Sequence, residues 1–287
     1  MKQKLEVSWG VPNTDNKLRQ FKRYLRDKGA RPSTVDDYLA RVKKYFEFCG
    51  NKDPSLELAQ EYRDHLLDRN LSNSSVANYS YAIKNFHKML GQDIKFPHLK
   101  RANEIPYFFS SFEVNKIFDN INNIKHIAMF KTAFYACLRA SELCNLDVED
   151  LNLDKLALVV RNGKGGKTAI CYLSEEAVET LREYLAVRPD FEIEGKKPLF
   201  YSDYGSRFNR KEIYRLVIHY KETAGINKPG GAHVLFRHTP ASLMVQNGCD
   251  LLTIQQVMRH NHITTTMRYL HLADDIKRSK YDRFLKL

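Results

Sequence analysis

The sequence has no apolar run long enough to cross a bilayer, which takes about 20 consecutive apolar residues. Its first residues, Met1-Lys-Gln-Lys-Leu-Glu-Val, lack the apolar core of a secretion signal. Neither a membrane partner nor secretion is expected. Cysteine is scarce. Cys49, Cys137, Cys144, Cys171 and Cys249 form no C-x-x-C pair and no zinc spacing with histidine. A disulfide framework and a zinc module are thereby excluded, and the thiols read as small core residues of a reducing, cytoplasmic compartment. A phosphate-binding G-x-x-x-x-G-K-[ST] loop is missing, so no nucleotide is implied. The acidic cluster Asp147-Val-Glu149-Asp150 reads as a solvated helix end rather than a divalent-metal centre. No metal and no cofactor are expected. Internal repeats and low-complexity segments are also lacking.

What is abundant is positive charge. Lys and Arg number 46 against 34 Asp and Glu, a formal net charge of +12. Such an excess favours a polyanionic partner, nucleic acid first. It is spread out: residues 1–100 hold 19 basic and 12 acidic residues, the remainder 27 and 22. Both halves can therefore touch one long anion, which a basic tail on a neutral body would not do.

Hydrophobic periodicity predicts a mainly α chain in two domains. Residues 15–91 read as four helices, with Leu18, Phe21, Tyr24 and Leu25 on the first and Tyr38, Val42, Tyr45 and Phe46 on the second. Asp53-Pro54-Ser55 and Ser72-Asn73-Ser74 start the third and fourth, while Gly50 and Gly91 stop the second and fourth. Residues 92–109 contain Pro97 and Pro106 and little periodicity, as expected of a linker. The domains expected are therefore 1–91, a helical DNA-binding domain, and 110–287, a second domain beginning at the helix-start pattern Ser110-Ser111-Phe112-Glu113. That domain is α-rich with a small antiparallel sheet. Its strands are Leu156–Val160 and Thr168–Leu173, joined by the glycine-rich turn Asn162–Lys167.

Four segments of the second domain carry chemistry. Leu138-Arg139-Ala-Ser-Glu142 sets an arginine among apolar residues. Lys164-Gly165-Gly166-Lys167 places lysines on a glycine-rich turn. Gly231-Ala-His233-Val-Leu-Phe-Arg237-His238-Thr239 holds a second arginine between histidines. His260 precedes Tyr269 by nine residues, with Thr265 and Thr266 between. Arginine forks match phosphate oxygens, and a tyrosine hydroxyl is a nucleophile for phosphorus.

In order and spacing these motifs resemble those of the tyrosine recombinases of the phage integrase family, the minimal Xer-like members in particular. The resemblance covers nearly the whole chain. It implies a SAM-like DNA-clamping domain of four helices ahead of the catalytic domain. It implies that Tyr269 forms a 3′-phosphotyrosyl link to double-stranded DNA. It further implies that Lys164 protonates the departing 5′-oxygen, with Lys167 as a substitute, and that Arg139 and Arg237 hold the phosphate, aided by His260 and His233. Four protomers would act on two duplexes in integration, excision or dimer resolution. The tail Asp274–Leu287 would dock on a neighbouring protomer or pack as a last helix on its own domain.

The chain departs from the family pattern at several positions. The histidine expected three residues before Arg237 is Val234, with His233 one position early. An offset of one residue turns a side chain by about 100° on a regular helix. Pro240 points to an alternative, a looser turn over 231–236 that lets His233 reach the site. The usual glycines before Arg139 and His260 are Cys137 and Arg259. His238 reads as structural, and Tyr281 is the rival nucleophile. Two other readings stand beside the recombinase: a catalytically weakened relative that only binds DNA, and a helical DNA-binding regulator without chemistry.

Overall fold

The computed structural model describes residues 14–50, 52–99, 107–161, 168–273 and 281–282. The chain divides into two compact units, Met1–Asn103 and Glu104–Leu287.

The first unit is a four-helix domain with its own core. Helices α1 (Thr14–Asp27), α2 (Pro32–Cys49), α3 (Leu56–Asp68) and α4 (Asn73–Met89) follow the apolar periodicity of the sequence. Local signals set the ends. Pro32 opens α2, where a missing N–H costs nothing, and Gly50 closes it in the left-handed region at φ 60°. Ser55 accepts a bond from the Leu58 N–H at 3.1 Å, and Ser72 accepts one from Ser75 at 3.2 Å. Phe21, Val42, Tyr45, Ile83 and Phe86 are fully buried between the helices, and Phe21 meets Phe86 edge-to-face at 5.5 Å. The buried His87 is satisfied on both sides, by the Tyr45 hydroxyl at 3.2 Å and Gln92 Oε1 at 2.6 Å.

The second unit begins with α5 (Ser111–Asp119), closed at its start by a reciprocal Ser110–Glu113 capping box. Then come α6 (Ile124–Tyr135) and the short α7 (Ala140–Cys144). A three-stranded antiparallel sheet follows, in the order β1 (Leu151–Asn152), β2 (Ala157–Val160), β3 (Ala169–Tyr172). Leu158 pairs with Cys171 and Val160 with Ala169. On β3 Cys171 is buried while Ile170 and Tyr172 face solvent, so one face of the sheet is covered. Two strands match the sequence expectation; β1 is an addition, too short to show alternation. The turn expected at 162–167, with Lys164 and Lys167, lies outside the described residues.

Helices α8 (Glu175–Val187), α9 (Arg210–Thr223), α10 (Thr239–Gln246), α11 (Leu251–Met258) and α12 (Ile263–Thr266) complete the unit. Helix α6 runs through the core, packed on α8 and on the segment before α10. Phe109, Phe130, Leu138, Phe200 and Phe236 are at most 1 % exposed there. A separate small cluster of Cys137, Ala241, Val245, Ile254, Met258 and Tyr269 seats the C-terminal helices under the site described next. Among the described residues no helix is long and apolar enough to cross a membrane.

Candidate active site

Five of the six site residues read from the sequence converge. Arg139, His233, Arg237, His260 and Tyr269 line one pocket of about 190 Å³, together with His238, Arg259, His262 and Arg268. They come from four places: the start of α7, the turn before α10, the loop after α11, and the turn after α12. The sixth, Lys164, lies outside the described residues.

Arg139 is the N-cap residue of α7, and Glu142 sits one turn on. The Glu142 carboxylate accepts from the Arg139 backbone N–H at 2.9 Å, from Arg139 Nη1 at 2.5 Å and from Arg259 Nη2 at 2.9 Å. Burial alone would raise its pKa, but the Arg139 backbone bond and the two guanidinium groups hold it below the usual carboxylate range. One carboxylate therefore stays ionised between two cations and fixes the direction of both.

Arg237 is 2 % exposed. Its Nη1 donates to the Cys137 carbonyl and its Nη2 to the Met258 carbonyl, both at 2.6 Å. Burial first, then Arg139 and Arg259, pull its pKa down to about 10. It remains a cation at neutral pH. Neighbouring cations in a buried site need compensation, and Glu142 supplies it.

The segment before α10 resolves the offset between His233 and Arg237. Val234–His238 forms a π turn, with the Thr239 N–H bonded to the Val234 carbonyl, i to i+5. The expected looser turn is thus a helical but widened one. The extra residue takes up the one-position shift. His233 lines the pocket, and Val234 packs on the core beside Gly230, where a Cβ would lie 3.0 Å from it. Pro240 follows inside the first turn of α10, where its missing N–H is tolerated.

Tyr269 is 2 % exposed, with its ring in the small apolar cluster and its hydroxyl 2.6 Å from His238 Nδ1. Burial pushes the phenol up to about 12, so it needs a proton acceptor to become a nucleophile. His238, read from sequence as structural, is the group that touches it. The His233 ring stacks edge-on against His238 at 4.5 Å. His260 Nδ1 lies 3.0 Å from the fully buried Thr266 hydroxyl, which fixes the imidazole at the pocket wall. Tyr281 is 58 % exposed and lies outside the pocket lining.

The two glycine positions of the motif pattern explain themselves in the backbone. Cys137 has φ 48° and Arg259 has φ 54°, both left-handed. A side chain there costs about 1–3 kcal/mol. At Arg259 the side chain offsets this through bonds to the Ala136 and Cys137 carbonyls and Glu142. A hydrogen bond to a charged group is worth about 1.5–3 kcal/mol, so the arginine is retained at no net loss. Sequence reasoning missed Arg259 and Arg268 as pocket residues. The only available signal was their position, each next to a residue of the His260–Tyr269 motif.

The histidines give the free protein an acid sensitivity. Burial first, then His233, Arg268 and Arg237, lower His238 to about 3; burial, then Arg237 and Arg139, lower His260 to about 4. Both bind protons more readily in the unfolded chain, at their ordinary 6.5. Their contribution is complete above that value and lost as pH falls towards 4 and then 3. Melting of the DNA-free protein between pH 7 and pH 5 is expected to show a fall on the order of 5 °C, shallower in His238→Gln. A flat profile would contradict the neutral, half-buried state of these rings.

Comparison with known proteins agrees with the geometry. Residues 108–275 match the phage integrase family, and residues 18–93 match the phage integrase N-terminal SAM-like domain. The tyrosine recombinase XerA of Pyrococcus horikoshii is 30% identical over 277 residues, covering 92% of this chain and 93% of that protein. The tyrosine recombinase XerD of Staphylococcus epidermidis is 29% identical, covering 90% and 94%. The structure of XerH site-specific recombinase bound to palindromic difH substrate, a post-cleavage complex, aligns with a TM-score of 0.73 at 20% identity, covering 98% of this chain and 99% of that one. The SAM-like domain, the catalytic unit with its small sheet, and the order of the motifs agree with these matches, and the chain belongs to the phage integrase family as a Xer-like tyrosine recombinase.

Proposed function

We propose that this chain cuts and rejoins double-stranded DNA at specific sites, with Tyr269 as the nucleophile. The observation that carries the reading is the convergence of Arg139, Arg237, His233, His238, His260 and the buried Tyr269 on a single pocket in a member of this family. Arg139 and Arg237 hold the non-bridging oxygens of the scissile phosphate, and His260 and His233 add donors at its edge. Tyr269 Oη attacks phosphorus and loses its proton to His238 Nδ1, 2.6 Å away. The P–O5′ bond breaks, the 3′-phosphotyrosyl link forms, and Lys164 delivers a proton to the departing 5′-oxygen. In the reverse step a 5′-hydroxyl of a partner strand attacks phosphorus and gives its proton to Lys164, the P–O bond to Tyr269 breaks, and His238 returns the proton to the tyrosine. The phosphotyrosine keeps the bond energy, so the balance closes without a nucleotide, metal or other cofactor. Burial first, and then the neighbouring charges of His233, Arg268 and Arg237, keep His238 neutral; an anionic phosphate between the arginines offsets the second cause and so raises its proton affinity when it must act.

Residues 1–91 are assigned to grip the duplex with 110–287, and 92–109 to link them, in a cytoplasmic protein. Four protomers acting on two duplexes, with Asp274–Leu287 docked on a neighbour, complete the reading. Among the described residues nothing favours a non-catalytic relative: Val234 packs on the core, Pro240 fits its helical turn and both terminal nitrogens of Arg259 are bonded. The test begins by selecting a bound site from random-sequence DNA with Tyr269→Phe protein. A duplex nicked near that site then traps the adduct with wild-type protein. Tight binding by wild-type protein with no adduct would leave only the DNA-binding reading.

Binding to such a duplex is expected to be strongly salt-dependent, because each neutralised phosphate releases counterions. Raising salt from about 50 to 200 mM should weaken affinity by roughly 10³-fold or more. A titration series showing a change below about tenfold would rule out a broad phosphate interface.

A further inference from the structure

Two residues with left-handed backbone, Cys137 and Arg259, meet behind the pocket. Their turns supply both carbonyls that hold Arg237: that of Cys137 itself and that of Met258, the residue before Arg259. The Arg259 side chain crosses between the turns. Its Nη1 donates to the Ala136 carbonyl at 3.1 Å and lies 2.9 Å from Cys171 Sγ on β3. Its Nη2 donates to the Cys137 carbonyl at 3.0 Å and to Glu142 at 2.9 Å. The same Glu142 carboxylate fixes Arg139, whose Nη2 also reaches the Arg259 carbonyl at 3.4 Å. The Cys137 carbonyl thus accepts from Arg237 and Arg259 together.

We propose that Arg259 is a positioning residue for cleavage: its guanidinium joins the Cys137 turn, Glu142 and the end of α11, and so fixes Arg139 and Arg237 relative to one another. Each terminal nitrogen of Arg259 meets at least two protein partners and has no N–H left for a phosphate, whereas each terminal nitrogen of Arg237 meets one and keeps an N–H to offer. Arg237 depends on Arg259 through the two carbonyls, and Arg139 depends on it through the shared carboxylate. A lysine cannot replace it, because one ammonium cannot span Cys137, Ala136 and Glu142 as a planar fork does. The inference rests on the assignment of Tyr269, Arg139 and Arg237 to cleavage.

The test compares wild type, Arg259→Gly and Arg259→Lys on the selected nicked duplex, with single-turnover adduct formation, duplex affinity and melting measured for each. Glycine adopts φ 54° without strain, so Arg259→Gly is expected to melt near wild type. It should bind the duplex within about twofold of wild type and form adduct about 100-fold more slowly. Added guanidinium chloride at millimolar concentration should restore part of that rate in Arg259→Gly and leave wild type unchanged. Arg259→Lys should stay slow. An Arg259→Gly rate within about threefold of wild type would overturn the proposal. So would a loss of affinity that matches the loss of rate, which would make Arg259 a direct phosphate ligand. If Arg259→Gly does not fold, Arg259→Lys decides: a wild-type rate overturns the proposal. Absence of adduct from wild type is a different result, and it removes the Tyr269 assignment beneath it.

Discussion

Tyr269→Phe is expected to bind the selected duplex as wild type does and to form no covalent adduct. The change deletes one hydroxyl and keeps a ring that fits the cluster of Cys137, Ala241, Val245, Ile254 and Met258. The packing is preserved, so folding and DNA affinity should hold, with melting within about 2 °C of wild type. Only the bond between the hydroxyl and His238 disappears from the protein. Denaturing gels of the nicked duplex would show no shifted band, a loss limited only by detection. Tyr281→Phe should form adduct at the wild-type rate, since Tyr281 lies outside the pocket lining. The reverse pattern would move the nucleophile to the tail.

Arg237→Lys should slow single-turnover adduct formation by about 10³-fold. The charge is kept, so the effect isolates geometry. Arg237 uses both terminal nitrogens on the Cys137 and Met258 carbonyls, and its buried planar head is thereby aimed at the pocket. A lysine satisfies at most part of this set. A buried carbonyl left without its donor costs about 1–3 kcal/mol. Melting should therefore fall as well, by roughly 2–4 °C for each kcal/mol lost. Arg237→Lys that cleaves within about tenfold of wild type would show that a point charge is enough and that the fork is not used.

Much of this is legible in the sequence itself. The helix ends are, because Ser55, Ser72 and Ser110 bond backbone groups within three residues, and such contacts are written locally. The buried faces of α2 and α4 are, because their apolar spacing is helical. The strand β1 is not, since two residues carry no period and its pairing with β2 is tertiary. The widened turn at 234–238 is half visible. The offset of His233 and the presence of Pro240 point to an alternative to regular helix geometry, a looser turn, but not to the i-to-i+5 bond that forms there.

The role of His238 was hidden for a different reason. Its partner Tyr269 stands 31 residues later, and only the fold brings the two to 2.6 Å. Arg259 was read as a departure from a glycine, which is correct for its backbone. What the sequence does not record is that its side chain reaches residues 136, 137 and 142, more than a hundred positions away. The pocket itself follows the same logic: the motifs are recognisable by their order and spacing along the chain, and their meeting is a property of the second unit's packing.

The most direct measurement is the identity of the protein atom joined to DNA. Wild-type protein is trapped on the nicked duplex, digested with protease and nuclease, and the nucleotide-bearing peptide is sequenced by mass spectrometry. The expected product is a single peptide containing Tyr269, with a phosphodiester to a 3′-oxygen. A nucleotide on Tyr281 or any other side chain, or linkage through a 5′-phosphate, would contradict the mechanism built on Tyr269, Arg139 and Arg237.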